Sequence, residues 1–292
     1  MGLDAARVDP AAMRLIEEAD EILGFAVSAV MADGPADALR PTPIQQPAVL
    51  TASVASLVAL RNVGLLPDAD FVAGHSLGQY AAFVAAGAID FHDALRLVRL
   101  RGMLMEAHGA GAMAAIIGMT PDQVATVAAD AGAEVANFNS PEQTTISGEE
   151  AAVERAIKLA RERGAKRAIR LTINGAFHSR LMEPAAAGMT DAINAAPIQD
   201  ARIPVVTNVG ATPIQAAADV RRELIGHICA SVQWVDSVRW LKHAGVTTWY
   251  EVGPGNVLAG LITRIEPGTT VYGADKLLAD VATEKGIVDD GR

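Results

Sequence analysis

The sequence predicts an α/β fold, a mainly parallel sheet covered by helices on both faces, with a small ferredoxin-like domain inserted into it. Three observations predict it. After Phe71, strand-like apolar runs alternate with helical periodicities, which is the order of parallel β-α units. Between residues 112 and 174 the order becomes strand, helix, strand, strand, helix, strand. The 292 residues are 51% hydrophobic but only 4% aromatic, so a large core must be built from Ala, Val, Leu and Ile. Residues 1–111 and 175–292 are therefore assigned to a large domain and 112–174 to the small one.

Residues 9–66 read as helices and loops. In "DPAAMRLIEEADEIL", Asp9 stands at an N-cap with Pro10 in the first helical position, and "QPAVLTASVASLVALRNVGL" repeats the signal with Pro47. No strand is evident before "DFVA", which leads into Gly74; "GQYAAFVAAGA" is the helix that follows. "DFHDALRLVRLRGMLMEAH" is an amphipathic helix capped by Asp90. The small domain then comprises the strand "GAMAAIIGM", a helix opening at Thr120 and Pro121, the strands "EVANFN" and "TTISG" about a turn at Ser140 and Pro141, a helix over 149–163 and the strand "RAIRLTI". Beyond it come a helix over 179–195, the strand "IPVVTNV", helices at "DVRRELIGHI" and "SVQWVDSVRWLKHAG", the strand "TWYEVG", the loop "GPGN" and a last helix "VLAGLITRI". The tail "TEKGIVDDGR" is expected to fray.

Several function classes are set aside by composition. A net charge of −10 opposes binding to a phosphate backbone. No stretch of about 18 consecutive apolar residues marks a membrane span, and "MGLDAARVDP" lacks the order of a signal peptide, so a cytoplasmic protein is expected. Cys229 is the single cysteine, which precludes an intrachain disulfide and suits a buried packing role. No metal site and no cofactor are expected.

The stretch "VAGHSLGQY" places Ser76 between Gly74 and Gly78, with a strand before it and a helix after it. A strained strand-to-helix turn needs small neighbours if the serine hydroxyl is to stand clear, so Ser76 is a candidate nucleophile. Its hydroxyl requires a base. Of the six histidines, His92, His108 and His243 lie on or beside helices among charged neighbours, and His75 is adjacent to the serine. His178, in "TINGAFHSRLM", falls between a strand and a helix, where catalytic groups of parallel sheets gather. Arg101 adds an independent signal: its neighbours at three and four residues are Leu97, Val98, Leu104 and Met105, so its cation is planted on an apolar stripe. Such a charge needs a carboxylate or phosphate, either a buried Asp or Glu or the free carboxylate of a substrate.

"GHSLGQY", "RLVRLRGMLM", "NFNSPEQTTISG", "GAFHSRLM", "IPVVTNV", "VQW" and "YEVGPGNVL" resemble, in order and spacing, the malonyl-CoA:acyl carrier protein transacylases of fatty acid synthesis and the related polyketide synthase acyltransferases. The resemblance covers nearly the whole chain and implies an α/β-hydrolase-like large domain. It implies a ping-pong reaction in which Ser76 takes malonyl from coenzyme A and passes it to the phosphopantetheine thiol of an acyl carrier protein, the thioester being a substrate and not a cofactor. His178 would be the base, Leu77 would give its N–H to the oxyanion, and Arg101 would grip the malonyl carboxylate. His75, Asn139 and Phe177 would line the substrate site, Phe177 favouring malonyl over a methyl-branched unit. The backbone carbonyl that orients the histidine would come from His227, where the family has glutamine. Gln79 and Ser231 replace a usual glutamate and a frequent proline.

The resemblance also implies a strand and a G-Q-G-S-Q loop ahead of the first residue here, the loop giving the second oxyanion donor. Without them the Ser76 strand would have an unpaired edge, and the 292-residue chain alone is expected to be poorly soluble or nearly inactive. The basic run "ERAIKLARERGAKRAIR" offers Arg161, Lys166 and Arg167 as a docking patch for an acidic carrier protein, with few acids to offset it. A serine esterase or thioesterase, or a non-catalytic relative that binds a carrier protein, are the alternative readings.

Overall fold

The computed structural model describes residues 3–173 and 175–286. The strands among them are β1 (Val72–Ala73), β2 (Ala112–Ile117), β3 (Glu134–Ser140), β4 (Gln143–Gly148), β5 (Arg167–Arg170), β6 (Val205–Val206), β7 (Pro213–Ile214), β8 (Trp249–Glu251) and β9 (Val271–Gly273). β2 to β5 form one antiparallel sheet in the order β3-β4-β2-β5, the strand order of a ferredoxin-like unit. Ala112, Ala114 and Ile116, two residues apart, turn one face of that sheet into a core shared with Val124 and Val127 of helix Pro121–Ala131 and Val153 and Ile157 of helix Glu150–Glu162.

Parallel pairing occurs in two pieces. β1 pairs with β6, and β7 closes that sheet antiparallel; β8 pairs with β9 separately. The edge of β1 away from β6 has no strand partner among the described residues, and it lines a cavity of about 590 Å³ whose other wall includes Trp249 and Glu251 of β8. The strands are shorter than their apolar runs: "RAIRLTI" forms strand only over Arg167–Arg170, and "IPVVTNV" only over Val205–Val206, where β1 offers a partner just two residues long.

The helix expected at Pro47 begins at Thr42, with Pro43 in its first turn, and runs to Asn62. Pro47 sits inside it. A proline there has no N–H to give the carbonyl four residues back, and that carbonyl, of Pro43, instead accepts from the guanidinium of Arg99. With a mean hydropathy of 1.3 over its 18-residue window this helix is long and apolar enough to cross a membrane, but 78% of the window is buried inside the protein. It is a core helix, packed on Phe91–Ala107 and Pro10–Leu23. The contact with Phe91–Ala107 is close because Gly102 has no side chain: a Cβ there would lie 2.6 Å from the Thr42 carbonyl oxygen.

Two further expectations are corrected. Val257–Ile265 is not the last helix; Ala274–Glu284 follows and buries Ala274 and Leu278 against Ala5, Val8 and Ala55. The first residues of the "TEKGIVDDGR" tail complete that helix, and residues 287–292 lie outside the described ones, as does residue 174, the last assigned to the small domain. Cys229 is half-buried rather than buried; desolvation pushes its thiol up to about 11, which makes it a poor nucleophile.

Candidate active site

Ser76 follows β1 at the start of helix Gly78–Ala85 and has a φ of 50°, left-handed backbone that a side chain seldom adopts. The turn is tight on one side only. A Cβ on Gly74 would lie 2.1 Å from the backbone carbon and oxygen of Gly78, whereas a Cβ on Gly78 would meet nothing within 4 Å. The small-neighbour requirement therefore belongs to Gly74, and Gly78 is not needed for space.

His178 does not end a strand, since β5 stops at Arg170; it lies in a loop at φ 58°, ahead of helix Glu183–Ala195. Its Nε2 is 2.7 Å from Ser76 Oγ. Its Nδ1 faces two carbonyl oxygens, His227 at 2.8 Å and Ala230 at 3.1 Å. Carbonyls only accept, so Nδ1 carries the hydrogen and the Nε2 lone pair is directed at the serine hydroxyl. Burial, reinforced by the charge of Arg101, lowers the His178 pKa to about 3. The ring is neutral over the physiological range.

Arg101 is 1% exposed. Its Nη1 donates to Gln46 Oε1 at 2.7 Å and its Nη2 lies 3.5 Å from Ser76 Oγ. No Asp or Glu forms an ion pair with it among the described residues, which removes the buried acid as its partner, and desolvation depresses its pKa. The other sequence-selected residues divide. His75 bonds Asn139 Oδ1 through Nε2 at 2.8 Å, and Asn139 Nδ2 donates to Thr145 Oγ1, so β3 and β4 are tied to the residue beside the nucleophile. Leu77 keeps its N–H without an acceptor among the described residues. Phe177 is half-buried, its ring against Gly175 and the main core.

Arg161, Lys166 and Arg167 are not gathered at this site; they sit on helix Glu150–Glu162 and at β5, over the small sheet. The basic run is also not short of acids: Lys158 pairs with Glu162, Arg163 with Asp130, Lys166 with Glu142, and Arg170 with Glu150 and Glu154. Glu154 and Glu162 lie in the run itself, while Asp130, Glu142 and Glu150 are brought to it by the fold. Two polar residues at the site went unselected. Gln46 had the signal of a buried amide on an apolar helix; Asn208, which bonds Ser76 N–H, had none.

The acyl transferase domain family matches residues 1–239. A malonyl CoA-acyl carrier protein transacylase of Bacillus subtilis (strain 168) is 44% identical over 273 residues, 91% of this chain and 86% of that protein. The chain belongs to this transacylase family. Among solved structures, the family member from Coxiella burnetii superposes with a TM-score of 0.92 at 34% identity, covering 96% of this chain and 92% of that one. A malonyl-transacylase solved in complex with a type II PKS acyl-carrier protein has a TM-score of 0.92 at 36% identity, covering 98% and 94%. These likenesses carry the α/β acyltransferase fold through the transacylase family to this chain.

Two outcomes follow from the geometry. Gly74→Ala forces a backbone collision beside the serine and should slow acylation about 100-fold or more, the cost of misplacing a reacting group by about 1 Å, while Gly78→Ala should stay near the native rate; single-turnover acylation of the two variants checks this. His75, His178 and His227 all have lowered pKa values, chiefly from burial. The unfolded chain, with histidines near 6.5, then binds more protons than the folded one as pH falls below 6.5, and stability must drop until His178 itself protonates near 3. Each such group contributes up to about 1.4 kcal/mol per pH unit. Denaturant titrations at pH 7.5 and 5 should show this loss, reduced in His227→Gln, which keeps the backbone carbonyl and removes one titrating ring.

Proposed function

We propose that Ser76 is the nucleophile of malonyl transfer from coenzyme A to the phosphopantetheine thiol of an acyl carrier protein, with His178 as base and acid and Arg101 as the carboxylate anchor. One observation carries this reading: the hydroxyl of Ser76 lies 2.7 Å from an imidazole nitrogen and 3.5 Å from a buried guanidinium that pairs with no acid among the described residues. In the first half-reaction Oγ bonds to the thioester carbon as its proton passes to His178 Nε2. The C–S bond then breaks and the proton leaves with the coenzyme A sulfur. In the second, the carrier thiol gives its proton to His178 and attacks the malonyl ester; the C–O bond breaks and Oγ recovers the proton. The Leu77 N–H, without an acceptor among the described residues, is assigned to the oxyanion, and the His227 carbonyl holds the ring in the tautomer that both halves require.

Arg101 does two things in this scheme. It pairs with the malonyl carboxylate, and that pairing offsets the positive charge that helps hold His178 below its ordinary pKa, so the charged substrate strengthens its own base. An esterase for neutral substrates gains nothing from such a cation, which disfavours that alternative. Phe177 and the His75–Asn139 pair are assigned to the substrate side. Docking by Arg161, Lys166 and Arg167 is retained as part of the reading, weakened by the Lys166–Glu142 pair. The buried Thr42–Asn62 helix and the coenzyme A substrate support a cytoplasmic enzyme.

Ser76→Ala should abolish covalent labelling by radiolabelled malonyl-CoA with the fold intact; residual labelling would move the nucleophile elsewhere. Arg101→Ala should shift the preference from malonyl toward acetyl, measured as the ratio of acylation rates. A loss of malonyl transfer with no relative gain for acetyl would make the arginine structural.

A further inference from the structure

We propose that Asn208 is the positioning residue of the nucleophile, its side-chain amide standing in for the backbone N–H and C=O of one residue of the β1–β6 ladder where the main chain has turned away. The register of that ladder pairs Val72 with Val205 and Ala73 with Val206, and Val72 N–H donates to the Pro204 carbonyl. In a parallel ladder every second residue of a strand bonds to the partners on either side of the one it faces. Continued by two residues to a 75–208 pair, the ladder would have the N–H of residue 208 donate to the Gly74 carbonyl and the carbonyl of residue 208 accept from Ser76 N–H.

The backbone of Asn208 makes neither bond. Its N–H donates to Glu223 Oε1 at 2.8 Å and its carbonyl accepts from Gln233 N–H at 2.8 Å. The side chain makes both instead: Nδ2 donates to the Gly74 carbonyl at 2.6 Å and Oδ1 accepts from Ser76 N–H at 2.6 Å. A primary amide presents N–H donors and a carbonyl acceptor in one plane, and asparagine is the shortest side chain that does. At 2% exposure, water does not compete for these bonds. The left-handed turn at Ser76 is thus gripped from both ends by one group, while Glu223 and Gln233 hold that group's own backbone. This fixes the direction of Oγ and of the neighbouring Leu77 N–H.

The inference rests on Ser76 being the nucleophile, and its test separates the two. A small neutral serine reagent, phenylmethanesulfonyl fluoride, does not use Arg101: Oγ bonds to sulfur, the S–F bond breaks, fluoride leaves and the hydroxyl proton passes to His178. Labelling of the native protein that is lost in Ser76→Ala establishes the nucleophile; its absence in the native protein would overturn the functional reading itself. Asn208→Leu, with the same branched skeleton but bulkier and apolar, should then label about 100-fold more slowly, and malonyl-CoA acylation should fall in parallel with KM little changed. Asn208→Asp serves also if the leucine variant fails to fold. Its neutral carboxyl restores one donor and one acceptor and its carboxylate does not, so the ratio of its labelling rate to the native rate should fall as pH rises from 5 to 9. A folded Asn208→Leu protein that labels at the native rate, or an Asn208→Asp ratio that is flat or rises with pH, would overturn the assignment.

Discussion

Arg101 is a cation held at 1% exposure with one amide oxygen and one serine hydroxyl as its hydrogen-bonding partners. Burying a charge without a counter-charge costs several kcal/mol, and at Arg101 the fold bears that cost beside Ser76. The positive field favours the developing negative charge on Oγ. It also opposes protonation of His178, which stays neutral and available as a base. In the proposed reading a substrate carboxylate relieves the burial, so affinity for a charged acyl chain and readiness of the base arise from the same interaction.

Three distant parts of the chain must meet for that interaction to matter. The helix of Arg101 is brought against Thr42–Asn62 by the missing side chain at Gly102, which lets Gln46 reach the guanidinium. The turn of Ser76 is closed by the missing side chain at Gly74 and held by Asn208 across 132 residues. His178 is oriented by carbonyls of residues 227 and 230, so its orientation depends on backbone and not on another ionisable side chain. The histidine at position 227 meets this need as any residue would, because a carbonyl is common to all residues.

The parts that were legible in the sequence are those whose signal is local. Gly74, Ser76 and the flanking apolar runs declare a strand-turn-helix within a few residues, and the apolar neighbours of Arg101 at helical spacing declare its burial. The alternation over 112–174 declared the antiparallel sheet and its order. What was not legible is what depends on pairing at a distance. Strand lengths were overestimated because apolar runs persist where no partner strand does. The helix at Thr42 was started late because a proline normally marks the first turn, and the Arg99 side chain that lets Pro47 sit inside the helix comes from another helix. Asn208 looks like any polar residue ending a strand until the ladder register shows which bonds its side chain replaces.

The most direct test is a crystal structure of the malonylated protein, trapped at the covalent stage. The account predicts an ester on Ser76 Oγ with the malonyl carboxylate paired to Arg101, His178 Nδ1 still donating to the His227 carbonyl, and the Gln46 contact retained. A malonyl carboxylate directed into solvent, with Arg101 bound to an acid of the protein, would contradict it.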